Sequence, residues 1–329
     1  IPKLNFFMKI NRKSFLILPL IVLGLFMGFA QQDPQFTQFF NNRLLYNPGY
    51  AGTSNSMCGI IQFRKMWASF DGAPLSFNAT FDTKLKEVPI GLGFNAMYDK
   101  IGPMNTIFLR LPASFILKVG PGNLGIGLDV GILQKKISND WITPDQNLYD
   151  NSIPGAYGIA NNPDLNKLTY DLSFGIFYNA PKKFYVGISS THLPAQVLKQ
   201  TDSIQFKLTR HYYFMAGVNI SIDPRNQIIP NIKVRSDIAA MSIDFNLMYM
   251  WNEALLVGAT YRHQDAISPM IGYNFLIPTG SSFRLCISHD LVLSKIKGHT
   301  FGSPEITLGY CQPIKIKKIT TYGDDLFFN

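Results

Sequence analysis

Leu168-Thr169-Tyr170-Asp171-Leu172-Ser173-Phe174-Gly175-Ile176-Phe177-Tyr178-Asn179 is the stretch that decides the fold. On an extended chain Leu168, Tyr170, Leu172, Phe174, Ile176 and Tyr178 share one face, and Thr169, Asp171, Ser173, Gly175 and Asn179 share the other. A period of two marks a strand with a greasy side and a polar side. The stretch is also long. A tilted transmembrane strand needs ~9–11 residues, whereas a soluble strand usually has ~5–6.

The same alternation recurs on either side. Leu75, Phe77, Ala79 and Phe81 oppose Ser76, Asn78, Thr80 and Asp82; Ile243, Phe245, Leu247, Tyr249 and Trp251 oppose Ser242, Asp244 and Asn246. Leu255, Val257, Ala259 and Tyr261 oppose Gly258, Thr260 and Arg262. Fourteen such segments are expected, at 55–66, 74–84, 88–99, 105–117, 122–133, 167–179, 183–193, 208–221, 226–236, 239–250, 254–264, 267–277, 282–291 and 303–313. An even count suits a barrel with both ends on one side of a membrane.

The connections are asymmetric. Those after even-numbered segments are tight, as at Leu85-Lys86-Glu87, Ala180-Pro181-Lys182 and Asp223-Pro224-Arg225. The long ones, 134–166, 194–207 and 292–302, all follow odd-numbered segments. Short periplasmic turns and long external loops are the pattern of an outer-membrane barrel. Composition agrees: of 329 residues 47% are hydrophobic and only 16% charged, against about 25% charged in a soluble domain. A lipid-facing wall explains that scarcity; a soluble secreted β-sandwich, which also alternates, is a third reading that solubility without detergent would reveal.

Lys9, Arg12 and Lys13 precede an uncharged stretch, 14–30, that is rich in Leu, Ile and Phe and closes on Gly28-Phe29-Ala30. This has the layout of a signal peptide cut after Ala30, with Met8 as the expected start. Removing residues 1–30 takes away Lys3, Lys9, Arg12 and Lys13 and no acid, so the net charge falls from +9 to +5. With no dense basic patch left, a nucleic-acid partner is not expected. The expected organisation is a signal peptide (1–30), a periplasmic lead-in (31–54), one antiparallel all-β transmembrane barrel (55–313) and a periplasmic tail (314–329).

No motif supports catalysis. Gly120-Pro121-Gly122-Asn123-Leu124-Gly125 fits a GxGxxG spacing, but a strand follows it where a nucleotide site needs a helix. His192, His211, His263, His289 and His299 show no metal-ligand spacing, and His289-Asp290 reads either as a luminal acid–base pair or as a structural hydrogen bond, the latter preferred. Asp140, Asp145, Asn147, Asp150 and Asp164 are hard oxygen ligands in a polar loop, a composition that fits calcium and plain solvation alike. No enzyme activity, cofactor or resident metal is expected. Cys58, Cys286 and Cys311 all fall on the polar, luminal parity. Closure of the barrel brings the first and last strands together, so Cys58 and Cys311 are candidates for a disulfide across the seam, within strict geometric limits.

The segment after the leader, Gln32-Asp33-Pro34-Gln35-Phe36-Thr37-Gln38-Phe39 and then Leu45-Tyr46-Asn47-Pro48-Gly49-Tyr50-Ala51-Gly52, resembles the opening of the PorP/SprF family of type IX secretion outer-membrane proteins. Further similar blocks are Arg64 and Trp67 with Asp71-Gly72-Ala73-Pro74, then Gly91-Leu92-Gly93 and Asp99-Lys100-Ile101-Gly102-Pro103. Later ones run from Phe184 to Leu193 and include Arg210-His211-Tyr212, Tyr261-Arg262 and Asp265-Ala266-Ile267. Two features depart from the family pattern: Ser303-Pro304-Glu305 stands where Ser-His-Glu is usual, and the chain continues past its last strand to Asn329.

The resemblance implies a barrel of the secretion and gliding machinery that exports or anchors particular surface proteins. Its implied partners are the C-terminal domain of a secreted client and the periplasmic ring and lipoprotein components, with the lipid membrane around it. On this reading Phe36, Phe39, Phe40 and Tyr46 in the lead-in, and Trp141, Tyr149 and Tyr157 in the long loop, are candidate partner contacts. The lead-in either packs under the barrel or acts as a plug or docking element. The competing class is a porin or small-molecule transporter, its pore lined by Arg64, Arg235, Arg262 and Arg284 with Asp82 and Asp244.

Overall fold

The computed structural model describes residues 33–137, 165–199, 205–278 and 280–314. Its fourteen barrel strands are β1 (Ser56–Lys65), β2 (Leu75–Lys84), β3 (Ile90–Ile101), β4 (Met104–Val119), β5 (Gly122–Ile137), β6 (Leu165–Ala180) and β7 (Phe184–Thr191), followed by β8 (His211–Val218), β9 (Asn226–Ser236), β10 (Met241–Trp251), β11 (Leu255–Arg262), β12 (Ala266–Leu276), β13 (Ser282–Val292) and β14 (Ser303–Pro313). Each pairs antiparallel with its neighbours in sequence, and β14 returns to β1 in a register running from Ser56–Pro313 to Arg64–Glu305. The sheet is therefore a closed barrel. Closure satisfies the backbone groups that a sheet edge would leave bare in lipid.

Strand parity falls as the alternation dictates. Leu128, Leu168 and Tyr170 stand outside, each about 60% exposed to what would be lipid (60%, 66% and 59%). Asp171, Ser173, Asn78, Asp244, Asn246 and Arg262 point inward and are buried. Among the described residues no helix is long and apolar enough to cross a membrane. The crossing is made by strands.

Boundaries differ where the period fades. The β5–β6 ladder runs beyond the expected ends through Lys135–Lys167, Lys136–Asn166 and Ile137–Leu165. Gln134, Lys135 and Lys136 make that stretch polar on both faces, so hydrogen bonding continues where alternation has stopped. The eighth strand is shorter than 208–221: Asn219 donates instead to the Lys183 carbonyl, and pairing resumes only at Ile220–Ser221. The connection after β7 contains a small hairpin, Val197–Lys199 with Gln205–Lys207.

Residues 33–54, placed by the sequence as a lead-in ahead of the barrel, lie inside it. Phe36, Thr37, Gln38, Phe39 and Asn42 are fully buried against inward side chains of the wall. The segment starts at the end carrying the long loops, beside His192, His211 and Arg235, and finishes at the opposite end, where Asn55 meets Lys84. It thus traverses the lumen from the outer mouth to the inner one before turning back into β1.

Candidate functional site: the segment in the lumen and the wall that holds it

At the outer mouth Asp33 is the anchor. One carboxylate oxygen lies 2.8 Å from His192 Nε2, the other accepts from the Tyr213 hydroxyl at 3.2 Å, and the backbone carbonyl accepts from Arg235 at 2.9 Å. Behind it, His192 Nδ1 is 3.0 Å from Asp171, which pairs with Arg110 at 3.1 Å. Burial opposes charge on both members of the Asp33–His192 pair, but their mutual attraction outweighs it. His192 is pushed up to about 9, with Asp171 contributing, and Asp33 is held well below the usual carboxylate range by His192, His211 and Arg110.

Asp33, His192 and His211 also form the metal-capable group among the described residues, their ligand atoms within 4.8 Å of one another. Each ring nitrogen of His192 faces its own carboxylate, Nε2 toward Asp33 and Nδ1 toward Asp171, so the same residues also form an ion-pair chain.

Lower down, two successive plug amides dock on one wall carboxylate. Thr37 N–H donates to Glu305 Oε2 at 2.7 Å and Gln38 N–H to Oε1 at 2.9 Å. The Thr37 hydroxyl donates to Asp290 at 2.9 Å and accepts from Arg64 at 2.6 Å and Arg262 at 3.1 Å. Around it, Arg64 pairs with Asp290 (2.6 Å) and Glu305 (2.9 Å), Arg262 with Asp244 (3.0 Å), and Lys233 with Asp244 (2.8 Å). Buried charges persist only when paired and hydrogen-bonded in this way. Lys233 also lies 5.0 Å above Phe39 and 4.7 Å above Tyr46, a cation held on two aromatic faces.

The middle of the segment is read by amides. Asn42 donates to Gln62 (2.9 Å) and Asn78 (2.8 Å) and accepts from Thr80 (3.0 Å). Asn47 donates to the backbone carbonyls of Ile176 (3.1 Å) and Ile188 (2.9 Å), and its oxygen caps the short 3₁₀ turn Pro48–Tyr50. That turn lies on the wall backbone itself: a Cβ on Gly125 would collide with the Gly49 carbonyl, and one on Gly49 would come within 2.7 Å of the Gly125 carbonyl. Glycine is required there because backbone meets backbone. At the inner end Ser114 donates to the Ala51 carbonyl (2.6 Å), and Gly52 N–H donates to Asp82 (2.9 Å).

The expected site residues divide accordingly. Phe36, Phe39, Phe40 and Tyr46 are buried in the lumen and contact the wall. Trp141, Tyr149 and Tyr157 lie outside the described residues, as do the loop carboxylates considered for calcium. Cys58 and Cys311 face one another in the β1–β14 register and are bonded, while Cys286 is free and buried. His289 and Asp290 do not pair: adjacent strand residues point to opposite faces, and Asp290 alone enters the lumen.

The pore-lining candidates do point inward, but toward the segment. Arg64 and Arg262 bond Thr37, Arg235 bonds the Asp33 carbonyl, Arg284 bonds Asn41 (2.7 Å), and Asp82 bonds Gly52. Thr37, Gln38, Asn42, Asn47 and Glu305 were not among the expected site residues. For Thr37, Gln38 and Asn47 the signal lies in the two opening blocks, since polar residues without periodicity beside an all-strand chain need partners somewhere. Pro304 faces outward between inward Ser303 and Glu305, so the departure from Ser-His-Glu leaves the luminal pair intact.

No curated protein matches the sequence. Among solved structures, the chain is similar to the Ralstonia pickettii toluene transporter TbuX (9% identity, TM-score 0.47, covering 83% of this chain and 93% of that one). It is similar also to the Pseudomonas putida toluene transporter TodX (10%, TM-score 0.47, 83% and 94%) and the CymD monoaromatic hydrocarbon channel (11%, TM-score 0.45, 88% and 96%). TM-scores below 0.5 at such identities carry no weight for what this barrel binds. Residues 28–310 match the family model described as type IX secretion system membrane protein PorP/SprF. This closed, non-enzymatic outer-membrane barrel belongs to the PorP/SprF family.

Proposed function

We propose that the barrel is a closed holder, which binds the C-terminal domain of a secreted surface protein and the periplasmic components of the type IX machinery, and conducts no solute. The observation that carries this reading is the occupied lumen. The inward charges that a pore would present to water are engaged by residues 33–54 or by one another. Two cavities among the described residues, about 100 Å³ at the outer end and about 240 Å³ at the inner end, share no lining residue.

Signal-peptide removal after Ala30 belongs to the same reading. It would leave a new terminus two residues before Asp33, and Asp33 itself lies at the outer mouth. A periplasmic place for the tail 314–329 is part of the same proposal, and the end of β14 at the inner rim supports it. The client and ring assignments rest on family membership.

The test is purification of the full chain from native outer membranes in mild detergent, with identification of what accompanies it. A secreted protein with a C-terminal sorting domain and a periplasmic lipoprotein are expected in stable proportion. A barrel recovered alone under conditions that preserve other secretion complexes would contradict the proposal.

A further inference from the structure

The inner end of the lumen differs electrically from the rest. Arg64, Arg110 and Arg262 each meet a carboxylate between 2.6 and 3.1 Å. Arg43 on the plug and Arg284 on β13 have no carboxylate within 4.0 Å among the described residues. Arg284 is instead held by two neutral acceptors, Asn274 Oδ1 and Asn41 Oδ1, each at 2.7 Å. Arg43 lies over the Tyr185 ring, 3.9 Å from its centroid, and its buried Nε has no hydrogen-bond partner. Amides and an aromatic face fix these two cations in place without neutralising them.

Both arginines line the same cavity of about 240 Å³, together with Asn41, Ser54, Ser56 and Ser282. Those residues belong to the first turn of β1, the start of β13 and the plug above them, so the cavity belongs to the periplasmic half of the lumen. Two guanidiniums without a counter-charge, Arg284 held by neutral amide oxygens and Arg43 with its Nε unpartnered, thus face one cavity beside an amide and three serines. Removing a charge from water without a counter-charge is costly, and planar guanidinium forks recognise two-oxygen anions.

We propose that this cavity is a binding site for a single oxyanionic group, a carboxylate or a phosphate, bridged between Arg43 and Arg284 and reached from the periplasmic side. Nothing in the site depends on a client being bound, so it stands independently of the holder reading. The volume accommodates one such group with water, and the serine hydroxyls satisfy the oxygens that the guanidiniums do not reach.

The test uses the purified full chain in nonionic detergent, with inorganic phosphate or acetate titrated against chloride at constant ionic strength. Thermal unfolding is followed by intrinsic fluorescence. The wild type is expected to unfold at a higher temperature with increasing phosphate, in a saturable manner. Arg43→Gln, which leaves the wall untouched, and Arg284→Gln, which keeps a donor amide, are each expected to weaken half-saturation roughly tenfold or more, the loss expected for a charge-assisted contact. A saturable response to acetate alone would support the site and assign it to carboxylates. Absence of any saturable shift in the wild type with either anion, or an equal shift in both variants, would overturn the proposal.

Discussion

Asp33, the first described residue of the plug, lies 2.8 Å from His192 at the outer end of β7. Because His192 is raised to about 9 from an ordinary 6.5, its contribution to stability is complete below pH 6.5 and is lost as the pH climbs through 9. Asp33 behaves in the opposite sense: its folded value is depressed, so its contribution holds above about 4 and disappears only in strong acid. The unfolding temperature is therefore expected to fall between pH 7 and pH 10 by more in the wild type than in His192→Gln. Parallel pH profiles for the two proteins would show that the pair does not hold the plug.

Glu305 is the plug's principal acceptor. It takes two backbone amides and the Arg64 guanidinium, so Glu305→Ala strands three donors in a buried site. Removing one partner of a buried charge network costs roughly 3–5 kcal/mol. Glu305→Gln, which keeps one carbonyl oxygen, is expected to lose less. Denaturant unfolding in detergent gives the ordering wild type, then Gln, then Ala. An Ala variant as stable as the wild type would contradict the docking geometry.

Gly125 is the close-approach point. Gly125→Val places a side chain where the Gly49 carbonyl lies, while the lipid-facing residues of β5 are untouched. The barrel is expected to assemble with its usual resistance to dodecyl sulfate at room temperature, and the plug amides near 47–53 to exchange with deuterium far faster. Unchanged protection of those amides would mean that the backbone contact is not tight.

The Cys58–Cys311 bond closes a seam that the β1–β14 ladder already closes by hydrogen bonds. A Cys58→Ser/Cys311→Ser double variant is thus expected to form the same barrel, at a cost of ~2–4 kcal/mol. Non-reducing peptide mapping of the wild type should recover the 58–311 link with Cys286 free. Three free thiols in the native protein would refute it.

The wall was legible in the sequence and the plug was not, for a physical reason. Each residue from Leu168 to Asn179 faces either lipid or lumen, so alternation alone gives strand, parity and even the inward placement of Arg64 and Asp244. Most of residues 36–53 are buried against the wall whichever way they point. A segment buried on every face has no period, and Phe36, Thr37 and Gln38 are all sequestered regardless of polarity. Read alone, such a stretch looks like a lead-in. Its partners, Glu305 and Asp290, lie more than 250 residues away in sequence (separations of 268 and 253), beyond the reach of local patterning. What the sequence did hold was the block structure: His192, His211, Arg262 and Gly91 in the family-like blocks are plug contacts or their neighbours.

The central claim, a barrel shut by its own N-terminal segment, is tested most directly by single-channel conductance in planar bilayers. Protein purified intact is compared with a variant lacking residues 33–46. The intact barrel is expected to give no steady current, and the deletion variant a stable ohmic channel. A steady open channel of similar size from the intact protein would contradict the account and restore the porin reading.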